Sequence, residues 1–209
     1  VYIIAILNKL MIKIHYSLLF IIILSIITDC FTKVFLILLT IILHEIGHMI
    51  AIKIFNGHTT KLELSIIGGF LKIDKSLFTL KQKIIVDLSG IIMNIVIVLI
   101  LIFLHNDALN YLIKYNIIMI IFNIIPIIPL DGYQIVYDIL ISIYEEEYAT
   151  VLSKRISFVF LMLLFVVIMF LKIWGLYLIW LYLLIKTLTT KHEYNYLTNL
   201  YKLYKYKSN

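Results

Sequence analysis

Residues Val34–Phe55 form an apolar run long enough to cross a bilayer, and near its middle stand His44, Glu45, Ile46, Gly47 and His48. A charged side chain near the centre of a membrane helix costs about 2.5–3.5 kcal/mol on insertion scales. Ionisable groups at that depth are therefore functional candidates by default. Their spacing narrows the choice. Residues i and i+4 share one helix face, so both imidazoles can take the same metal ion, and Glu45, one position along, can reach a water on it. Gly47 lets a substrate or a packed helix come close. The plainer alternative is a pair of helix histidines hydrogen-bonded to their neighbours.

Composition agrees with a membrane setting. Hydrophobic residues make up 63% of the 209 and mean hydropathy is +1.07, against about 45–50% apolar residues in soluble domains. Charged residues are 14%, roughly half the soluble average. A water-soluble enzyme and a free nucleic-acid binder are excluded, and the Ile, Leu and Val content excludes disorder. The single cysteine, Cys30, rules out an intrachain disulfide and a Cys-rich zinc site. A bilayer core of about 30 Å takes roughly 20 helical residues. Six candidate spans follow: Leu10–Thr28, Val34–Phe55, Ile84–Leu104, Leu109–Ile128, Ile156–Leu171 and Ile173–Leu188. The expected fold class is an all-α polytopic membrane protein. No cleavage site for a signal peptide, internal repeat or appended soluble domain is expected.

Between the second and third spans, Lys61–Asp74 alternates polar and apolar residues around Gly68-Gly69, which reads as a short β-hairpin or re-entrant loop. Residues 1–190 are expected to form one six-span domain with its core at about 34–132. Lys191–Asn209, rich in Tyr and Lys, is expected to be a membrane-surface tail. With both termini cytoplasmic, fifteen of the eighteen basic residues fall inside and only Lys33, Lys114 and Lys172 outside. That is the bias of the positive-inside rule.

Two histidines leave zinc one protein ligand short of its usual three plus water. Cys30 lies near the opposite end of the second span, so a membrane carboxylate is needed. Asp87 begins the third span and can be an interfacial residue. Asp131 closes the run Asn123–Gly132, which holds both prolines of the chain, Pro126 and Pro129. Proline breaks a helix, so the fourth span is expected to unwind there. Non-helical backbone at membrane depth persists only beside protein or a water cavity. A carboxylate at such a break can turn toward a metal, or be an ordinary turn Asp before Gly132.

His44–His48 with Asn123–Gly132 resembles the two signatures of the site-2 protease family of intramembrane zinc metalloproteases, His-Glu-x-x-His and Asn-x-x-Pro-x-x-Pro-Leu-Asp-Gly. Lys13-Ile-His15 resembles the family's approach to its first span, Gly68-Gly69-Phe70 its hairpin loop, and Gly90-Ile-Ile-Met-Asn94 a Gly-Pro-x-x-Asn element. The six-span layout, the lack of a PDZ domain and the Tyr-rich ending are similar to the family's sporulation branch, which processes a pro-sigma factor of the sigma-K type. The resemblance implies that His44, His48 and Asp131 bind Zn2+, that Glu45 is the general acid and base, and that Asn123 lines the active site. It also implies a bacterial cell membrane (in that branch, the mother-cell membrane around the forespore), a membrane-associated protein substrate, membrane inhibitor or regulator proteins, and no nucleic acid. Three features depart from the pattern. Tyr133 stands where many members have a second Gly, Ile91 replaces the Pro of the third-span element, and no CBS domain follows, so nucleotide regulation is not carried over.

The expected activity is zinc-assisted hydrolysis of a peptide bond in or near the membrane, with Glu45 taking the water's proton and returning it to the leaving amine. A substrate helix must open first, and Glu63–Lys72 could hold the opened segment as an added strand or simply pack on the second span. An alternative substrate is an anti-sigma factor or other single-span protein trimmed by regulated intramembrane proteolysis. A different class of function, a metal-binding membrane transporter, would want a polar path that the third, fifth and sixth spans barely supply. A scaffold with a dead site would not need an intact Glu45. The charge count predicts that reporters fused after Lys83 and at Asn209 are cytoplasmic and one near Asn106 is external. An external C-terminus would show the span count to be wrong.

Overall fold

The computed structural model describes the backbone of residues 2–7, 10–57, 59–65, 68–73 and 78–207, and the side chains of 13, 16, 18–57, 78–107 and 109–190. The chain divides into two compact units, residues 1–124 and 125–209.

The first unit runs β1 (Tyr2–Leu7), β2 (Leu10–His15), α1 (Tyr16–Ile27), α2 (Phe31–Ile54), β3 (Thr59–Ser65), β4 (Gly68–Ile73), α3 (Leu80–Phe103), a 3-10 turn at Asp107–Leu109, and α4 (Asn110–Ile124). The strands make one sheet in the order β1-β2-β3-β4. β1 and β2 pair antiparallel, as do β3 and β4, while β2 and β3 run parallel with Met11 opposite Lys61 and Ile14 opposite Leu64. Ile66, Ile67 and Asp74–Leu77 lie outside the described residues, as do the side chains of the whole Glu63–Lys72 segment.

The second unit holds α5 (Asp131–Ile143), α6 (Glu146–Leu171) and α7 (Trp174–Lys207). Trp180 donates its Nε1 proton to the Leu161 carbonyl at 2.9 Å, and its ring lies 4.6 Å from that of Phe165, centroid to centroid. Those contacts tie α7 to α6.

Among the described residues, three helices, α2, α3 and α6, are long and apolar enough to cross a membrane. At 1.5 Å per residue a helix of 24 residues reaches about 36 Å, more than the hydrocarbon core. Three further apolar helices, Leu18–Ile27, Asn110–Ile124 and Trp174–Thr190, are shorter. Several expected boundaries move, each for a local reason. Leu10–His15, read as the start of the first span, is a strand. Lys13 and His15 alternate with Ile12 and Ile14, a period of two that a hydropathy window averages away. Helix α3 starts at Leu80 rather than Ile84 because Thr79 and Gln82 form a capping box. The Thr79 N–H donates to Gln82 Oε1 at 2.9 Å and the Gln82 N–H donates to Thr79 Oγ1 at 3.4 Å. Helix α6 starts at Glu146 rather than Ile156, with Glu146 and Glu147 in its first turn. Acidic residues there complement the helix dipole, and apolarity alone does not register them. Helix α5 has no counterpart among the six expected spans. Gln134, Tyr137 and Asp138 keep it below the hydropathy of a span.

Burial is inverted relative to a water-soluble protein. Phe103, Phe170 and Trp174 are each at least 80% exposed, whereas Thr40, His44, Glu45, His48, Asp87 and Asn94 are buried. Exposed apolar side chains on this scale mark a surface meant for lipid. Within the expected third span α3 buries Asp87 and Asn94, and within the expected fifth α6 buries Ser157; the buried Thr150 and Ser153 precede that span, in the part of α6 ahead of Ile156.

Candidate metal centre

Helix α2 buries His44, Glu45, Gly47 and His48 on its inner side. The i, i+4 spacing puts the two imidazoles together, with Nε2 of His44 3.1 Å from Nε2 of His48 and the rings nearly perpendicular at 82°. Nδ1 of His48 lies 2.7 Å from the Val86 carbonyl on α3. A carbonyl only accepts, so Nδ1 carries the proton and the His48 Nε2 lone pair faces His44. A carbonyl holding the far nitrogen of a histidine is the usual support of a metal ligand. Two nitrogens bound to one tetrahedral zinc at 2.0–2.1 Å stand about 3.3 Å apart. The observed separation nearly meets that requirement. Both the donor atoms and their support fit a metal ion.

Two glycines make this geometry possible. A Cβ on Gly47 would stand 2.6 Å from the Ser89 carbonyl oxygen and 2.7 Å from the Met93 Cβ, so α2 and α3 touch backbone to side chain there. Of the two roles open to Gly47, substrate contact or packed-helix contact, the structure shows the second. A Cβ on Gly90 would stand 2.4 Å from His48 Nε2 and 2.7 Å from His44 Nε2. The imidazole nitrogens thus converge on a bare stretch of α3. Ser89 adds a hydroxyl that donates to the Val86 carbonyl at 2.6 Å and lies 3.3 Å from His48 Nδ1. Nothing in the sequence singled out Val86 or Ser89, because a backbone acceptor has no residue signature. Asp87 is 4% exposed and follows Val86 directly, so its side chain is buried within the protein.

Asn123 is buried in the last turn of α4, where its Nδ2 donates to the Met119 carbonyl at 3.1 Å. Asn116, two turns earlier, is fully buried and donates to the Leu112 carbonyl at 2.8 Å and toward Thr40 Oγ1 at 3.5 Å. The second of these bonds links α4 to α2 on the N-terminal side of the histidines.

Helix α4 ends at Ile124, two residues ahead of Pro126, as a proline demands. In the second unit, Ile125–Leu130 is non-helical and Asp131 is the first residue of α5. Asp131 is partly buried, and its position in the first turn also suits the helix dipole. The broken segment does not waste its backbone groups. The Leu130 N–H donates to the Ile127 carbonyl at 2.7 Å, and the Ile128 N–H donates to Ser157 Oγ on α6 at 3.0 Å.

No family model and no curated protein matches this chain. Among solved structures, a site-2 protease from Methanocaldococcus jannaschii is similar with a TM-score of 0.71, over 90% of this chain and 94% of that one, at 22% identity. The chain has the fold of a site-2 protease. Within that fold, α2 carries the His-Glu-x-x-His motif, α3 supplies its backbone acceptor and its glycine, and α5 begins with the acid of the second motif. Gly90→Ala should therefore abolish metal uptake while leaving the helical content intact. Zinc analysis of the purified protein, beside its circular dichroism, checks this; full zinc content in the variant would show that α3 does not wall the centre.

Proposed function

We propose that this chain is an intramembrane zinc metalloprotease of the site-2 type, with His44, His48 and Asp131 as the ligands and Glu45 as general base and acid. The observation that carries the reading is the convergence of two imidazole Nε2 atoms, 3.1 Å apart, beside a buried glutamate in a membrane-length helix. His44, His48 and Asp131 offer two ring nitrogens and a carboxylate oxygen, a donor set that suits one zinc ion and leaves a position open. When bound, zinc polarises the scissile carbonyl and acidifies the attacking water. Glu45 takes the water's proton on its carboxylate and delivers it to the leaving nitrogen. The Val86 carbonyl keeps His48 in the tautomer that presents Nε2. Asn123 is proposed to line the substrate path. One of its two Nδ2 protons goes to the Met119 carbonyl, which leaves an amide proton and the Oδ1 acceptor for a substrate backbone.

Six spans with both termini in the cytoplasm are proposed, on the strength of the basic-residue distribution and the three shorter apolar helices. β4 lies at one end of the strand order, which supports the idea that an opened substrate adds to the sheet through backbone hydrogen bonds. The metal-transporter reading is weaker. The buried serines of α6 are bonded to neighbouring backbone and to a tyrosine rather than offered along a path. For the substrate, a membrane-associated pro-sigma factor of the sigma-K type is proposed, held in check by membrane inhibitor proteins. The alternative is an anti-sigma factor or another single-span protein.

Two experiments test these statements. Glu45→Gln should retain zinc and lose turnover by about 10²–10⁴-fold, because the amide keeps shape without basicity. Asp131→Asn should weaken zinc by about tenfold or more as well. Wild-type cleavage by Glu45→Gln would remove the general-base assignment. Co-expression with a candidate pro-sigma factor should give a shortened product without any prior external cut. A requirement for such a cut would favour the single-span alternative.

A further inference from the structure

Tyr133 stands two residues after Asp131, and the structure gives it a partner. Tyr133 is buried, and its phenolic oxygen lies 3.3 Å from Ser153 Oγ on α6. Ser153 spends its one hydroxyl proton on the Thr150 carbonyl at 3.0 Å, so Tyr133 is the donor. One turn further along α6, Ser157 Oγ accepts the Ile128 N–H at 3.0 Å. Ser153 and Ser157 share a helix face at i, i+4, and both are completely buried. Their two bonds fall on either side of Asp131, three residues before it and two after it. No α-helical hydrogen bonds fix Ile125–Leu130, so these side-chain bonds set how that segment hands the chain to α5.

We propose that Ser157, together with the Ser153–Tyr133 pair, acts as a clamp that fixes the orientation of Asp131. They are positioning residues that touch neither substrate nor metal. The proposal rests on the reading of Asp131 as a ligand. A carboxylate next to a segment held only by its own turn bonds would lose more freedom on taking up the ion. A carboxylate between two buried hydrogen bonds is ordered beforehand, and that difference appears as affinity.

The test uses the full chain in detergent, stripped of metal and titrated with cobalt(II), whose visible absorption reports ligand geometry. Ser157→Ala and Tyr133→Phe should each weaken cobalt(II) binding by about 10–100-fold and change the shape of the visible band. Leu161→Ala, one turn beyond Ser157 on the same face and fully buried, should lower the unfolding temperature and leave the band unchanged. Asp131→Asn separates the two claims. Unchanged affinity in Asp131→Asn would overturn the ligand reading itself. Weakened binding there, with wild-type affinity and band in Ser157→Ala and Tyr133→Phe, would overturn the clamp alone. A band change in Leu161→Ala matching theirs would also overturn it, as general loosening of α6. Tyr133→Phe removes a single oxygen, so it decides the matter should Ser157→Ala fail to fold.

Discussion

The close contact of α2 with α3 at Gly47 and Gly90 is the arrangement on which the rest of the candidate centre depends. Hydrocarbon offers no water to solvate an imidazole, so two histidines in a membrane helix need their partners from protein. Helix α3 supplies them because Gly47 lets the two backbones meet and Gly90 leaves room for the imidazole rings against α3. The Val86 carbonyl then reaches His48 Nδ1, which directs both Nε2 atoms to one place. A methyl group at Gly47 would press on the Ser89 carbonyl of α3, and one at Gly90 would displace the two imidazoles. The capping box at Thr79 and Gln82 contributes from a distance, since it sets where α3 begins and hence which residues face α2.

The same rule of internal satisfaction explains the polar residues scattered through the apolar helices. Thr40 bonds the Leu36 carbonyl and receives Asn116, and Ser157 receives the Ile128 N–H of the proline-broken segment. Buried groups of this kind cost roughly 1–3 kcal/mol each when left unpaired. The break between α4 and α5 is satisfied by its own turn bonds and by a hydroxyl that α6 carries at the right register. Function follows from this economy of polar groups. His44, Glu45 and His48 gather buried ionisable groups on one helix, while Thr40, Asn116, Asn123 and Thr150 bond to backbone carbonyls.

Much of the site was legible because its chemistry is local. His44, Glu45 and His48 share one turn of helix, so spacing alone placed their side chains on one face. Pro126 and Pro129 announced the end of α4 through the missing N–H and the fixed φ of proline. Other features were not legible for equally physical reasons. Strand β2 was taken for the start of a span, since Leu10–His15 is apolar enough to satisfy a window that ignores period. Helix α5 was overlooked because a short helix with Gln134 and Asp138 resembles neither a span nor a loop. Tyr133 was visible only as a departure, and its reach to Ser153 on another helix leaves no trace in either local pattern.

The sequence by itself determined that this chain belongs in a membrane and that a helix within it carries two histidines and a glutamate at a spacing that suits one metal ion. Hydropathy and the i, i+4 periodicity are properties of a segment, and they hold wherever that segment packs. Only the tertiary structure decided which backbone carbonyl fixes the His48 tautomer, which glycine opens the wall beside the ring nitrogens, and which serine holds the broken segment before Asp131. These are contacts between residues 29 to 46 positions apart in sequence (Ser157 with Ile128, His48 with Val86, His44 with Gly90). They depend on how the turns of one helix meet those of another, and no window along a single chain contains that information.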